Sequence, residues 1–233
     1  MSCGIVVALP EELATLTSRK LAQGECLRLC DDTLVAYAGA GPHNAANAAN
    51  LLIAKGANRL ISWGCAAALA PQLRPGQLVI ADRIFFDQQI YEADKFWSDK
   101  VSSRLGEKLA VGNGKLVTET RIVALSEDKQ AIHRNTGAMA LDMESGAIAK
   151  VASQSNLPCL VLRAIADPVT LDLPPAVSRA MNEQGQVELG KLLCHLALHP
   201  WEVPALVKLG LHFHAAQKTL KTIARHLNEI AIY

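Results

Sequence analysis

Ala140-Leu141-Asp142-Met143-Glu144-Ser145-Gly146-Ala147-Ile148-Ala149 and, further on, Arg163-Ala164-Ile165-Ala166-Asp167-Pro168 each deliver a carboxylate from an apolar run. In the first, an apolar run gives way to a helix-like segment at Glu144. In the second, the run from Cys159 to Ala166 delivers Asp167 and is stopped by Pro168. A carboxylate leaving the end of a strand lies where open α/β sheets build their sites, so the two acids are expected to meet in one crevice.

Strand-like runs recur at Cys3 to Leu9, Leu34 to Ala38, Arg59 to Trp63, Leu78 to Asp82, Lys115 to Glu119, Ala138 to Met143 and Cys159 to Ile165. Most are rich in Val, Ile and Leu without strict alternation, as strands covered on both faces are. Helix-like segments lie between them at Glu11 to Ala22, His43 to Lys55, Ser98 to Leu109, Asp128 to Asn135 and Glu144 to Ser155. The alternation predicts a layered α/β domain with a largely parallel or mixed central sheet flanked by helices. At 233 residues, with no repeat or linker, the whole chain, 1–233, reads as one domain.

Beyond Pro175 the pattern changes to two long helices, Ala176 to Leu198 and Pro204 to Glu229, so that 204–233 forms an amphipathic extension. Leu206, Leu209, Phe213, Ala216, Leu220, Ile223, Leu227 and Ile230 form its apolar stripe, beside Lys208, Lys218, Lys221 and Arg225. Such a helix either docks on the domain or lies on an anionic membrane surface.

Half of the residues are hydrophobic, and 23 basic against 22 acidic side chains leave a formal charge of +1, which gives no footprint for nucleic acid. The six cysteines contain no C-x-x-C pair and suit a reduced, cytoplasmic chain, with contact at the inner membrane surface as an alternative. No leader and no membrane span are expected. His195 and His199 are spaced for a shared helix face, but no carboxylate or cysteine in the sequence pattern completes a metal site, and Cys26-x-x-x-Cys30 gives no zinc pattern. No metal and no cofactor are expected.

Cleaving a ribosyl–base bond creates an oxocarbenium-like sugar and a base that gathers negative charge, so one carboxylate to hold the ribose and another to protonate the base would suffice. Met143-Glu144, Ala164-Ile165-Ala166-Asp167 and the early Ala8-Leu9-Pro10-Glu11-Glu12-Leu13 resemble the purine nucleoside phosphorylase and methylthioadenosine/S-adenosylhomocysteine nucleosidase superfamily, in the family's order, from about Ile5 to about Val169. Within it the chain most resembles hopanoid-associated phosphorylases, which are assigned to the removal of adenine from adenosylhopane. The resemblance implies a three-layer nucleoside phosphorylase-like fold, a homo-oligomer and cleavage of a 5′-substituted adenosine. The other enzymatic reading is a methylthioadenosine/S-adenosylhomocysteine nucleosidase, and a reading of another class is a non-catalytic nucleoside-binding or membrane-peripheral protein.

On that resemblance Asp167 is the general acid at the purine N7, and an aspartate there goes with 6-aminopurines. A loop aspartate paired with Arg163 is the plainer alternative. Glu144 would accept hydrogen bonds from the ribose hydroxyls and Met143 would pack on the sugar, whereas an acid in a first helical turn also arises from the macrodipole alone. Glu12 would orient or deprotonate attacking water. The small-residue stretches Gly39-Ala40-Gly41 and Ser62-Trp63-Gly64-Cys65-Ala66 expose backbone N–H groups that could hold an anion or the attacking oxygen, making Ala40, Gly41, Gly64 and Cys65 substrate-binding candidates. No arginine stands beside Gly64 in the sequence to serve phosphate, although Arg19 or Arg83 could fold back, so phosphate as co-substrate and water both stay open. Phe85, Phe86, Tyr91, Phe96 and Trp97 concentrate half of the ten aromatic residues in one segment. They read either as a lining for an apolar 5′ group or as an interface or core.

Overall fold

The computed structural model describes residues 2–107, 109–180, 194–195 and 198–231. Among the described residues there are nine strands: β1 (Cys3–Val7), β2 (Cys26–Cys30), β3 (Thr33–Tyr37), β4 (Arg59–Ala68), β5 (Leu78–Phe86), β6 (Gln89–Glu92), β7 (Val111–Thr118), β8 (Ala140–Asp142) and β9 (Cys159–Asp167). The helices are α1 (Pro10–Leu13), α2 (Pro42–Ala54), α3 (Lys95–Gly106), α4 (Ser126–Thr136), α5 (Ser145–Gln154), α6 (Pro175–Ala180), α7 (Val203–Ala224) and α8 (Leu227–Ala231), with a 3-10 turn at Pro200–Glu202. The expected helix from Ala176 to Leu198 falls largely outside the described residues beyond α6.

The mixed sheet runs β2-β3-β1-β4-β8-β7-β5-β6, and β9 bridges β4 and β5. Because β4 and β5 are also joined through β8 and β7, these five strands close on themselves. Strands β1, β3, β4 and β9 are mutually parallel, so their carboxyl ends open on one edge. Helices α2 and α5 pack over one face of the sheet, and α3 and α7 over the other, the expected three layers.

Every residue of β1, β3 and β9 is buried, as their unalternating sequences require. Strands β2 and β6 are edge strands that the sequence reading missed. The β5–β6 hairpin turns through Asp87 and Gln88, both at positive φ (54° and 60°), without the Asn-Gly signature that usually announces such a turn. The helix expected over Glu11 to Ala22 stops after four residues. Thr15 donates to the Glu12 carbonyl (2.6 Å) and accepts from the Trp63 indole (3.0 Å), a local bond that competes with helix propagation.

The C-terminal helix breaks after Ala224 rather than running on to Glu229. Trp97 donates to the Ile230 carbonyl (2.7 Å) and Arg104 pairs with Glu229 (2.6 Å), which seats α8 against α3. The apolar stripe of α7 docks: Ala216, Leu220 and Ile223 are fully buried with β9 and α3, and Leu227 and Ile230 continue the contact. Burying Leu220 and Ile223 contributes about 1.5–3 kcal/mol each. The stripe is docked from Ala216 onward, whereas Leu206, Leu209 and Phe213 are half-buried and Val203, Val207 and Leu211 of the same helix are exposed. Among the described residues no helix is long and apolar enough to cross a membrane.

Candidate active site

Where the parallel strands end, a cavity of about 240 Å³ is lined by Glu12, Ala40, Cys65, Met143, Glu144 and Asp167, among others. Asp142 lines it too, so four carboxylates from three widely separated segments share one space. Around them the lining is largely apolar, from Leu9, Ile122, Val123, Leu141, Leu173 and Val177, with Arg121 at the rim.

Glu12 is buried, and both of its oxygens are held by backbone. Oε1 accepts from Cys65 N (2.8 Å), while Oε2 accepts from Ala8 N (3.0 Å) and Leu9 N (3.1 Å). Burial pushes its pKa up, opposed by the Arg163 charge and those three N–H groups. Gly64 makes this packing achievable, since a Cβ there would collide with the Glu12 carboxylate and the Arg163 guanidinium. Gly64 and Cys65 lie within β4 rather than in a loop, and the Cys65 N–H is committed to Glu12 instead of standing open to an anion. Burial and the neighbouring Glu12 charge hold the Cys65 thiol in its protonated form.

Glu144 precedes α5 but does not cap it. Its Oε1 reaches across the fold to accept from Gly41 N (2.9 Å), so this N–H too is taken by a carboxylate and not left for a ligand anion. Gly41 sits at φ +94°, which only glycine adopts without strain. Burial, helped by the nearby Asp142 charge, pushes the Glu144 pKa up to about 7.

Capping falls to Asp142, whose carboxylate accepts from Ser145 N (3.1 Å), Thr118 Oγ1 (2.6 Å) and Arg163 Nε (2.7 Å). Arg163, which the sequence offered only as a partner for Asp167, instead pairs with Asp142, both side chains at 2% exposure or less, and donates to Ser62 Oγ (2.7 Å). An arginine does stand beside Gly64, contrary to the sequence expectation, but it is buried and engaged with Asp142, Ser62 and Ser145. Arg83 faces Asp82 at 3.8 Å on the surface, and neither it nor Arg19 lines the cavity. Removing Asp142 would strand a buried guanidinium. Asp142→Ala is expected to lose about 3–5 kcal/mol of stability, and a loss under about 1 kcal/mol in a urea titration would mean that water reaches Arg163.

Asp167 pairs through Oδ2 with Lys129 Nζ (2.6 Å), not with Arg163. Its Oδ1 is buried without a hydrogen-bond partner among the described residues. Burial raises the Asp167 pKa, and the Lys129 charge opposes the rise. Sequence reading missed Lys129, because Ser126-Glu127-Asp128-Lys129 looks like a solvated first turn; only the fold turns this lysine inward, to 0% exposure.

Two further expectations change. None of Phe85, Phe86, Tyr91, Phe96 and Trp97 lines the cavity on this chain: Trp97 and Tyr91 belong to the core, and Phe96 is exposed. A carboxylate does complete the histidine pair, since Glu202 Oε1 lies 2.9 Å from His195 Nε2, and the ligand atoms of His195, His199 and Glu202 fall within 4.8 Å of one another. The second Glu202 oxygen accepts from Ala176 N (2.9 Å), tying the 3-10 turn to α6.

Comparison with known proteins agrees with this architecture. A 5′-methylthioadenosine/S-adenosylhomocysteine nucleosidase of Mycobacterium bovis is 25% identical over 234 aligned positions, covering 78% of this chain and 92% of the relative. The nucleosidase of the same name from Neisseria meningitidis, solved with methylthio-immucillin-A, superposes with a TM-score of 0.72 at 20% identity, over 98% of this chain and 99% of that one. Futalosine hydrolase of Helicobacter pylori superposes with a TM-score of 0.70 at 17% identity, over 98% and 96%. With the sequence pattern of the Phosphorylase superfamily matched across residues 2–197, the chain belongs to that superfamily.

Proposed function

We propose that this chain cleaves the N-glycosidic bond of a 5′-substituted adenosine and releases adenine, with water as the attacking nucleophile. The observation that carries the proposal is the meeting of Glu12, Glu144 and Asp167 in one largely apolar cavity. Asp167 protonates the departing purine through its unpartnered Oδ1. Glu144 accepts from the ribose hydroxyls, and its charge sits near the developing cation. Glu12 takes a proton from water: three of about four acceptor directions on its carboxylate are filled by backbone, leaving one toward the cavity. Water is favoured over phosphate because the arginine beside Gly64 is committed to Asp142 and the Gly41 and Cys65 N–H groups are committed to glutamates.

For the 5′ substituent, adenosylhopane is the finer proposal, supported by family likeness; the docked α7 stripe and the aromatic residues do not add to it. The relatives' methylthio and homocysteinyl groups are the alternative. Incubating the protein with adenosine, 5′-methylthioadenosine, S-adenosylhomocysteine and adenosylhopane, with and without phosphate, should release adenine from at least one at a rate independent of phosphate. Release of adenine from none would leave a nucleoside-binding role, and a ribose-1-phosphate product would replace water by phosphate.

A further inference from the structure

Behind Asp167, on the oxygen turned away from its unpartnered Oδ1, stands a cation that the family likeness does not call for. Lys129 is the one buried residue of α4, and its Nζ makes two contacts, with Asp167 Oδ2 at 2.6 Å and the Leu171 carbonyl at 2.7 Å. It does not line the cavity, so it cannot touch a substrate there. The loop that follows β9 is also fixed at the start of this helix and on the segment before it: Asp172 accepts from Ser126 N (2.6 Å), and Leu173 N donates to the Ala124 carbonyl (2.9 Å). Taking an ammonium fully out of water is costly unless a carboxylate and further acceptors receive it. Asp167 and Leu171 do so here, which fixes both the carboxylate plane and the backbone beside it.

We infer that Lys129 is a positioning residue for the proton donor, holding Asp167 at the cavity wall by Oδ2 so that Oδ1 is left without a protein partner, and stabilising the negative charge that Asp167 acquires as its proton leaves. This rests on the reading of Asp167 as the general acid. In the step concerned, the Oδ1–H bond breaks and its proton goes to the purine N7. The C1′–N9 bond breaks with its electron pair going to the base, and Asp167 is left as a carboxylate. Lys129 keeps its protons throughout. Before the step the ammonium faces a neutral carboxyl, and after it a full anion, so the attraction grows along the reaction coordinate and lowers the barrier.

The other charged groups around Asp167 are Asp172 in the following loop, and Glu12, Asp142, Glu144 and Arg121, which line the same cavity, Asp142 being paired with Arg163. With Lys129 removed, the acids dominate that set, so Asp167 would hold its proton more tightly. The alkaline limb of the kcat/KM profile, where the general acid is lost, should then move to higher pH while the plateau rate falls.

The test compares two leaving groups. Adenine must be protonated to depart, whereas 4-nitrophenolate departs without a proton, so the probes are the adenosine derivative cleaved in the assay above and a 4-nitrophenyl riboside with the same 5′ group. Lys129→Met, of similar length and apolar, and the milder Lys129→Gln are measured beside Asp167→Asn. Expected for the two lysine variants is a loss of about 10- to 100-fold in kcat on the adenine substrate, with the nitrophenyl substrate within about threefold of wild type. Equal losses on both substrates, or an unmoved alkaline limb, would reduce Lys129 to a structural residue and overturn the inference. If Asp167→Asn itself fails to discriminate the two leaving groups, the assignment of the acid falls; if Asp167→Asn discriminates and the lysine variants do not, the inference alone falls.

Discussion

Asp167→Asn should lower turnover of the adenine-bearing substrate at least about a hundredfold, the scale of general acid catalysis. The amide cannot deliver a proton to the base, yet its oxygen can still accept from Lys129, so the site keeps its shape. The pH profile supplies the sign. Burial raises the Asp167 pKa against the pull of Lys129, so the proton is retained further toward neutrality than on an ordinary aspartate. Wild-type activity is therefore present at lower pH and declines as pH rises through the pKa of the folded site. In the variant that alkaline limb should disappear with the activity. Because the substitution also takes the charge partner from a buried ammonium, thermal unfolding is measured first and rates are compared below the variant's transition. A folded variant that retains near wild-type turnover would exclude Asp167 as the proton donor.

Glu12→Gln should cost on the order of 10²- to 10⁴-fold if the carboxylate takes a proton from water. The substitution carries a second penalty that the geometry makes explicit. Both Glu12 oxygens face backbone donors, so whichever way the new amide turns, its NH2 meets an N–H, either that of Cys65 or those of Ala8 and Leu9. Leaving such donors unsatisfied costs about 1–3 kcal/mol. Activity and stability should thus both fall, and a denaturant titration separates them: the rate loss must persist under conditions where the variant is fully folded. Added phosphate should leave the wild-type rate unchanged. A folded Glu12→Gln variant with near wild-type hydrolysis would remove Glu12 from the reaction.

Much of this site was legible without coordinates because its acids are marked locally. Glu144 and Asp167 each stand at the end of an apolar run, and Glu12 follows the first strand through Pro10, so chain-local pattern and the carboxyl-edge rule together place them in one crevice. The layered α/β order was legible for the same reason: a strand buried on both faces advertises itself in its own composition. Edge strands β2 and β6 do not, since half their side chains meet water and their turns lack glycine signatures.

The partners of the site's charges had no such local mark. Whether Arg163 meets Asp142 or Asp167 depends on how β9 registers against β4 and where β8 crosses it, contacts between residues distant in sequence. Lys129 reads as a surface lysine until α4 is laid beside the loop after β9, and Glu202 joins His195 only when the turn before α7 folds back. Local sequence was enough to mark the buried strands and the acids at or just beyond their ends, because strand formation and burial follow from neighbouring residues. Which cation each acid faces, and which backbone N–H groups it takes, was set only when the distant segments met, because charge pairing acts through space over a few ångströms and the chain spacing of the partners does not encode it.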